Sequence, residues 1–163
     1  MAFILFITFV ILLRIGELIL SKRNERWLLM NNAIEYGHRH YPFIVAVHVL
    51  FFISMIVEYA TLDTTSFSIF FLVSYFILIA FKVWIIASLG KFWNTKIYRI
   101  SGIPLIKKGP YKYLKHPNYM TVVAEIAIIP LVFDLYFTAI IFSLLNLVIL
   151  YVRIKEENKA LQI

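Results

Sequence analysis

Residues 89–119 read LGKFWNTKIYRISGIPLIKKGPYKYLKHPNY. This is the longest stretch of the chain without an apolar run, and it holds three of the five glycines, three of the five prolines and seven of the sixteen Lys/Arg. On both sides of it the chain turns strongly apolar, and that contrast decides the fold. Hydrophobic residues make up 62% of the sequence and aromatics 17%, which excludes a soluble domain of ordinary composition.

Working outward, apolar runs at about 2–20, 43–60, 67–87, 118–134 and 136–152 each approach the roughly 20 residues that a helix needs to cross about 30 Å of hydrocarbon. The expected fold is an all-α integral membrane protein with about five transmembrane helices, one domain over 1–163. The last two runs meet at Asp134 and Leu135 and predict a tight antiparallel hairpin; the loop 61–66 is equally short. The first run lacks a preceding basic segment, so no cleaved signal peptide is expected.

The net charge of +7 points to nucleic acid or to an acidic membrane surface. Segments 21–42, 88–117 and 153–163 carry four, seven and three of the Lys/Arg, all beside apolar runs, so lipid headgroups are the expected partners and nucleic acid is not. The opposite side has only Asp63 and Asp134 between its spans. By the positive-inside rule the basic side is cytoplasmic, with the N-terminus out and the C-terminus in, and the three polar segments meet on one surface.

Two basic residues lie inside spans and need a reason to be there. Arg14 and Glu17 are three apart on one helical face, which fits either a snorkelling pair or the lining of a polar cavity; Lys82 reads as a snorkelling lysine. After Ser21-Lys22-Arg23-Asn24-Glu25-Arg26, an ordinary basic flank, the helix is expected to break at Asn31 and Asn32 and the chain to turn around Gly37 to Pro42. His38, His40 and His48 fit no closed zinc spacing, and with no cysteine present neither a metal site nor a disulfide is expected; the histidines read as interfacial anchors of the second span.

Within the central loop, the runs 97–100 and 103–106 flank Ser101 and Gly102 and read as a small β-hairpin with Pro104 on an edge. Tyr111, Tyr113 and Tyr119 offer flat faces to an adenine or a lipid tail, or else mark the membrane interface. In the tail, Arg153 and Glu157 are four apart on one helical face, with Asn146 two turns upstream. The hairpin brings this pair to the side of the membrane where residue 117 lies, beside His116, and a charged pair next to a histidine at the edge of hydrocarbon is a catalytic arrangement.

Lys112-Tyr113-Leu114-Lys115-His116-Pro117-Asn118-Tyr119, preceded by Gly109-Pro110-Tyr111, resembles the signature of the isoprenylcysteine carboxyl methyltransferase family, in which a basic residue, His-Pro, any residue and Tyr open a helical hairpin. The second half of that signature is matched by Arg153-Ile154 and Leu161, with Glu157 on the first of two glutamates. Arg14-Ile15-Gly16-Glu17-Leu18, Ser21-Lys22-Arg23-Asn24 and His40-Tyr41-Pro42 are similar to the family's bacterial branch, so the resemblance covers nearly the whole chain. It departs from the pattern at Thr121, where the family has glycine, and at Asn158, where it has the second glutamate, so the nucleotide pocket is expected to be shaped differently.

The resemblance implies S-adenosylmethionine as donor and methyl transfer to a carboxylate or acidic hydroxyl. Eukaryotic members act on prenylated protein C-termini, whereas bacterial relatives are linked to alkylpyrones and other lipophilic hydroxyl acceptors, so the expected substrate is a lipophilic oxygen nucleophile. Residues 88–117 then form a cytoplasmic cofactor-binding loop and 118–163 a hairpin and tail that complete the site. Lys108, Gly109, Pro110, Tyr111, Leu114, His116, Pro117 and Tyr119 would cradle the cofactor, with Glu157 on its amino group. Arg153, Glu157 and His116 are the catalytic candidates, and Arg14, Glu17, Glu125, Asn146 and Arg153 the acceptor-binding ones. Two other readings remain: a membrane sterol-type reductase using NADPH, whose C-terminal segment has a similar His-Pro-Tyr sequence, and a non-enzymatic membrane scaffold. The chain has no Gly-rich strand-to-helix loop, which excludes a soluble-type nucleotide-binding methyltransferase.

Overall fold

A computed structural model describes residues 1–63 and 65–161, the last of these by its backbone alone. Position 64 of the 61–66 loop, the side chain of Leu161 and residues 162–163 of the tail lie outside the described part. Five α-helices carry the fold: α1 (Ala2–Met30), α2 (Tyr41–Thr61), α3 (Ile69–Leu89), α4 (Pro117–Leu131) and α5 (Tyr136–Leu161). Four are long and apolar enough to cross a membrane; α4 is a shorter apolar helix. Its 15 residues reach only about 22 Å at 1.5 Å per residue. Pro117 at its first position fits there because that N–H has no helical partner. Its end comes at Leu131, after Pro130, and Asp134 then takes φ of 56° in the turn to α5.

α4 packs between α3 and α5, and α5 also packs on α2. At the end formed by the start of α1, the end of α2 and the α4–α5 turn, the core is largely aromatic: Phe3, Phe6, Phe51, Met55, Phe133 and Phe142 are buried there. Phe3 stacks on Tyr59 at 3.8 Å and meets the edge of Phe133 at 5.3 Å. At the same end Glu58 of α2 caps α5, its two carboxylate oxygens accepting from the N–H groups of Phe137 (2.9 Å) and Thr138 (2.8 Å). A carboxylate at a helix N-terminus satisfies free donors and meets the favourable end of the helix dipole.

The basic segments gather at the other end. α1 runs on through the Ser21–Arg26 stretch and stops where expected, at Asn31 and Asn32, the latter with φ of 58°. The central loop does not form the local hairpin. Instead β2 (Ile97–Arg99) pairs antiparallel with β1 (Ile34–Tyr36), in register Ile34↔Arg99 and Tyr36↔Ile97. The turn at Ser101 and Gly102 is present, but 103–106 carries no strand, since Pro104 has no N–H to give a ladder. Pairing with β1 supplies a full partner strand, and side chains reinforce it: Lys96 Nζ lies 2.8 Å from Glu25 and 3.5 Å from Glu35, and the Tyr98 hydroxyl donates to Glu25 at 2.6 Å.

Candidate functional site

α1 holds the near end of the central loop, so its 21–26 stretch is more than a basic flank. Ser21 and Asn24 are buried. The Ser21 hydroxyl lies 3.0 Å from Asn94 Oδ1 and 2.8 Å from Thr95 Oγ1, while Asn24 Nδ2 donates to the carbonyls of Trp93 (2.7 Å) and Gly90 (3.2 Å). These contacts press Trp93 into the bundle, where it is 2% exposed. Farther along the loop, Gly109 adopts φ of +52° under the end of α3, and an added Cβ there would collide with the Ser88 hydroxyl and sit 3.0 Å from Trp84 Nε1. Glycine is required by conformation and by space alike. The Pro110 carbonyl accepts from the N–H groups of Tyr113 and Leu114, closing the turn that leads to His116.

His116 precedes α4, and four side chains form a chain from it. Its ring stacks on Tyr119 with centroids 5.4 Å apart, and its Nδ1 lies 3.0 Å from Glu157 Oε2. The Arg153 guanidinium lies over the Tyr119 ring, 5.2 Å from its centroid, and its Nε donates to the Tyr119 hydroxyl at 3.0 Å. A second guanidinium N–H of Arg153 donates to the Thr95 carbonyl, fastening α5 to the loop that α1 holds. Burial, and after it the charge of Glu157, pushes the Tyr111 phenol above the ordinary tyrosine range, so Tyr111 stays neutral beside this chain.

Two cavities meet at these residues. The first, about 320 Å³, lies under the loop and is lined by 96–100 and 103–107 together with Tyr111, Leu114, His116 and Glu157. Lys108, Gly109, Pro110 and Pro117 do not line it; they shape the backbone that does. Tyr113 points outward, 76% exposed. His116 Nε2 and Arg99 Nε are buried without a hydrogen-bond partner among the described residues. Such groups are costly to leave unmade and are the kind a polar ligand satisfies.

The second cavity, about 220 Å³, lies between the helices. Its walls are mostly aliphatic and aromatic, from Ile44, Val45, Val49 and Phe52 of α2, Val122 of α4 and Ile149 and Leu150 of α5. Arg14, Glu17, Lys82 and Asn146 supply polar groups, and the buried Asn146 Nδ2 has no partner among the described residues. Trp93, Asn118, Tyr119 and Arg153 line both cavities and form the wall between them.

Lys82 does not snorkel. It is 4% exposed, with its ammonium 2.8 Å from Glu17 and 2.7 Å from Glu125. Arg14 joins the same cluster, 2.9 Å from Glu17 and 2.6 Å from Glu125. Glu125, 2% exposed, sits behind the cavity wall and holds both cations. Two cations and two carboxylates satisfy one another where either charge alone would be prohibitive. Position 82 gave no sign of this because its carboxylate partners come from α1 and α4.

Trp93, Thr95 and Asn118 were also missed; the only available signal was their place in a loop rich in glycine and proline. Among the described residues no three metal-ligating side chains converge; His40 precedes α2 and His48 faces the cavity between the helices.

Comparison with known proteins adds three findings. A Bacillus subtilis protein carrying the name "Uncharacterized protein YpbQ" is 43% identical over 162 residues, 98% of this chain and 96% of that one. A Haemophilus influenzae "Uncharacterized protein" is 32% identical over 156 residues, 93% of this chain and 90% of that one. No solved structure matches. The model of the isoprenylcysteine carboxyl methyltransferase (ICMT) family matches residues 68–163, from the start of α3 through the loop and the His116–Glu157 chain to the C-terminal tail, and the protein accordingly belongs to that family of membrane methyltransferases.

Proposed function

We propose that this protein transfers the methyl group of S-adenosylmethionine to an oxygen of a lipophilic acceptor, a carboxylate or an acidic hydroxyl. The observation that carries this reading is the pair of cavities sharing one wall: a more polar one under the loop and an apolar one between the helices, with Trp93, Asn118, Tyr119 and Arg153 lining both. Methyl transfer between a charged nucleoside donor and a lipid requires those two environments side by side.

The loop cavity fits the donor. Its unpartnered Arg99 Nε matches a carboxylate and His116 Nε2 a hydroxyl, Glu157 matches an amino group, and Tyr111 gives a flat face to a purine. When bound, S-adenosylmethionine supplies an electrophilic methyl on a sulfonium, and no metal is needed for its transfer. Arg153, held by Tyr119 and Thr95, orients the acceptor oxygen at the shared wall and balances its charge. Trp93 and Tyr119 exclude water there. The acceptor keeps its tail among the aliphatic side chains of α2 and α5, which explains a site built within the membrane. The basic end then faces the cytoplasm of a bacterial cell, where the donor is made, and the protein sits in the cytoplasmic membrane among anionic lipids.

The test is calorimetry with detergent-purified protein. S-adenosylmethionine and S-adenosylhomocysteine are expected to bind, and binding is expected to weaken at least tenfold in His116→Ala and Glu157→Gln. Binding of a reduced nicotinamide cofactor alone would replace this reading with a reductase, and binding of none in a folded sample with a scaffold.

A further inference from the structure

The reading above leaves the imidazole of His48 without a task, although it lines the cavity assigned to the acceptor. His48 lies about two turns into α2, and its Nδ1 is 2.8 Å from the Ile44 carbonyl oxygen one turn earlier. A carbonyl oxygen can only accept, so Nδ1 carries the proton and the lone pair of the neutral ring is on Nε2. Among the described residues the hydrogen bond of this ring is the one through Nδ1, and the imidazole lines the cavity.

The neighbouring groups leave the role of base to it. From α1, Glu17 accepts from Arg14 through one oxygen and from Lys82 through the other. From α4, Glu125 is taken by the same two cations, and the Tyr119 hydroxyl accepts from Arg153 of α5. On its own helix, the Tyr41 hydroxyl is bonded to Thr95. Both carboxylates of the cluster are therefore engaged by paired cations, and Arg14, Lys82 and Arg153 all act as donors in these contacts.

We propose that His48 is the base that takes the proton when the acceptor in this cavity is a hydroxyl; this rests on the methyltransferase reading. A carboxylic acid is already ionised at neutral pH and needs no base, whereas a hydroxyl must lose its proton as it attacks. The acceptor O–H bond breaks and its proton passes to His48 Nε2. The oxygen's electron pair forms the O–CH₃ bond as the C–S bond of the sulfonium breaks, and the electrons of that C–S bond stay on sulfur. Arg153 faces the developing oxyanion, and His48 later releases the proton to water. Nothing is oxidised or reduced.

Two probes and one variant test this: para-dodecylphenol, its ortho-nitro derivative, which ionises near neutral pH, and His48→Gln. Wild-type protein is expected to methylate the phenol with kcat rising as pH rises through the imidazole range. His48→Gln is expected to lose about 10²–10⁴-fold in kcat on the phenol. On the nitrophenol, at a pH where it is already ionised, the variant is expected to stay within a few-fold of wild type, which also reports that it has folded. Without donor, the nitrophenol bound to wild type is expected to show phenolate absorbance at a pH below its ionisation in detergent alone, and this is expected to vanish in His48→Gln. Full activity of the variant on the phenol overturns the proposal, as does an equal loss on both probes with the phenolate signal kept. Wild-type methylation of lauric acid but not of the phenol overturns the hydroxyl class and leaves the methyltransferase reading in place. Failure to bind S-adenosylhomocysteine overturns that reading and this inference together.

Discussion

The two ends of the bundle bury their interiors in opposite ways. At one end Phe3, Tyr59 and Phe133 pack ring on ring around aliphatic neighbours, and polar contacts there are between neutral groups or at helix termini, as in Ser54 with Thr138 and Glu58 capping α5. At the other, buried Lys82 and Glu125 cluster with half-buried Arg14 and Glu17, and beyond them lie two cavities and the His116–Tyr119–Arg153–Glu157 chain. The aromatic end gains from contact area, which many residues can supply. The charged end depends on named partners far apart in sequence, such as Arg14 with Glu125 and Lys82 with Glu17.

The sharpest way to break this contrast is Glu125→Ala, which leaves two cations facing one carboxylate. We expect a loss of about 3–5 kcal/mol, read as thermal unfolding in detergent. The double change Glu125→Leu with Lys82→Met leaves Arg14 with Glu17 and is expected to recover most of it; no recovery would mean that Glu125 acts through something other than charge balance. Next, Phe133→Ala should cost about 3 kcal/mol, the low end for a buried ring because lipid also offers apolar contact. Donor affinity should be unchanged, and a tenfold drop would show that the two ends are coupled.

Gly109→Ala tests the loop at a smaller scale. The positive φ and the collision with Ser88 are expected to cost about 1–3 kcal/mol, seen chiefly as weaker donor binding. Adding Ser88→Gly should return the steric part and leave the conformational part. The smallest effect is expected at Tyr111. Its folded pKa is raised, so the stability it contributes is complete below about pH 10 and is lost as pH rises toward the folded value. Tyr111→Phe should remove that alkaline loss from the unfolding midpoint, and an unchanged pH profile would place the phenol in solvent.

Much of the bundle was legible from local pattern. The apolar runs, the break at Asn31 and Asn32 and the turn at Asp134 each follow from a few consecutive residues, and the structure has them. The fourth run was read as longer than α4 proves, because apolar character continues through 132–133 after the helix has ended. The hairpin within the loop was misread for a related reason: two β-branched runs around Ser101 and Gly102 look complete, and nothing local announces that 97–99 will pair with 34–36. The arrangement of His116, Arg153 and Glu157 followed from two helical spacings and one tight hairpin. Trp93, Thr95 and the tasks of Ser21 and Asn24 did not, since they depend on how the loop docks on α1.

By itself, the sequence determined that this chain is a helical membrane protein with its basic segments on one side, because the cost of placing polar backbone and charge in hydrocarbon is set residue by residue. It also carried the family, through residues whose spacing along helices survives folding unchanged. Only the tertiary structure decided that Lys82 is a buried partner of Glu17 and Glu125, that β2 pairs with β1, and that two cavities share the wall of Trp93, Asn118, Tyr119 and Arg153. The physical reason is that a buried charge or an unpaired strand states a need for a partner, while the identity of that partner depends on which helix faces come together in space.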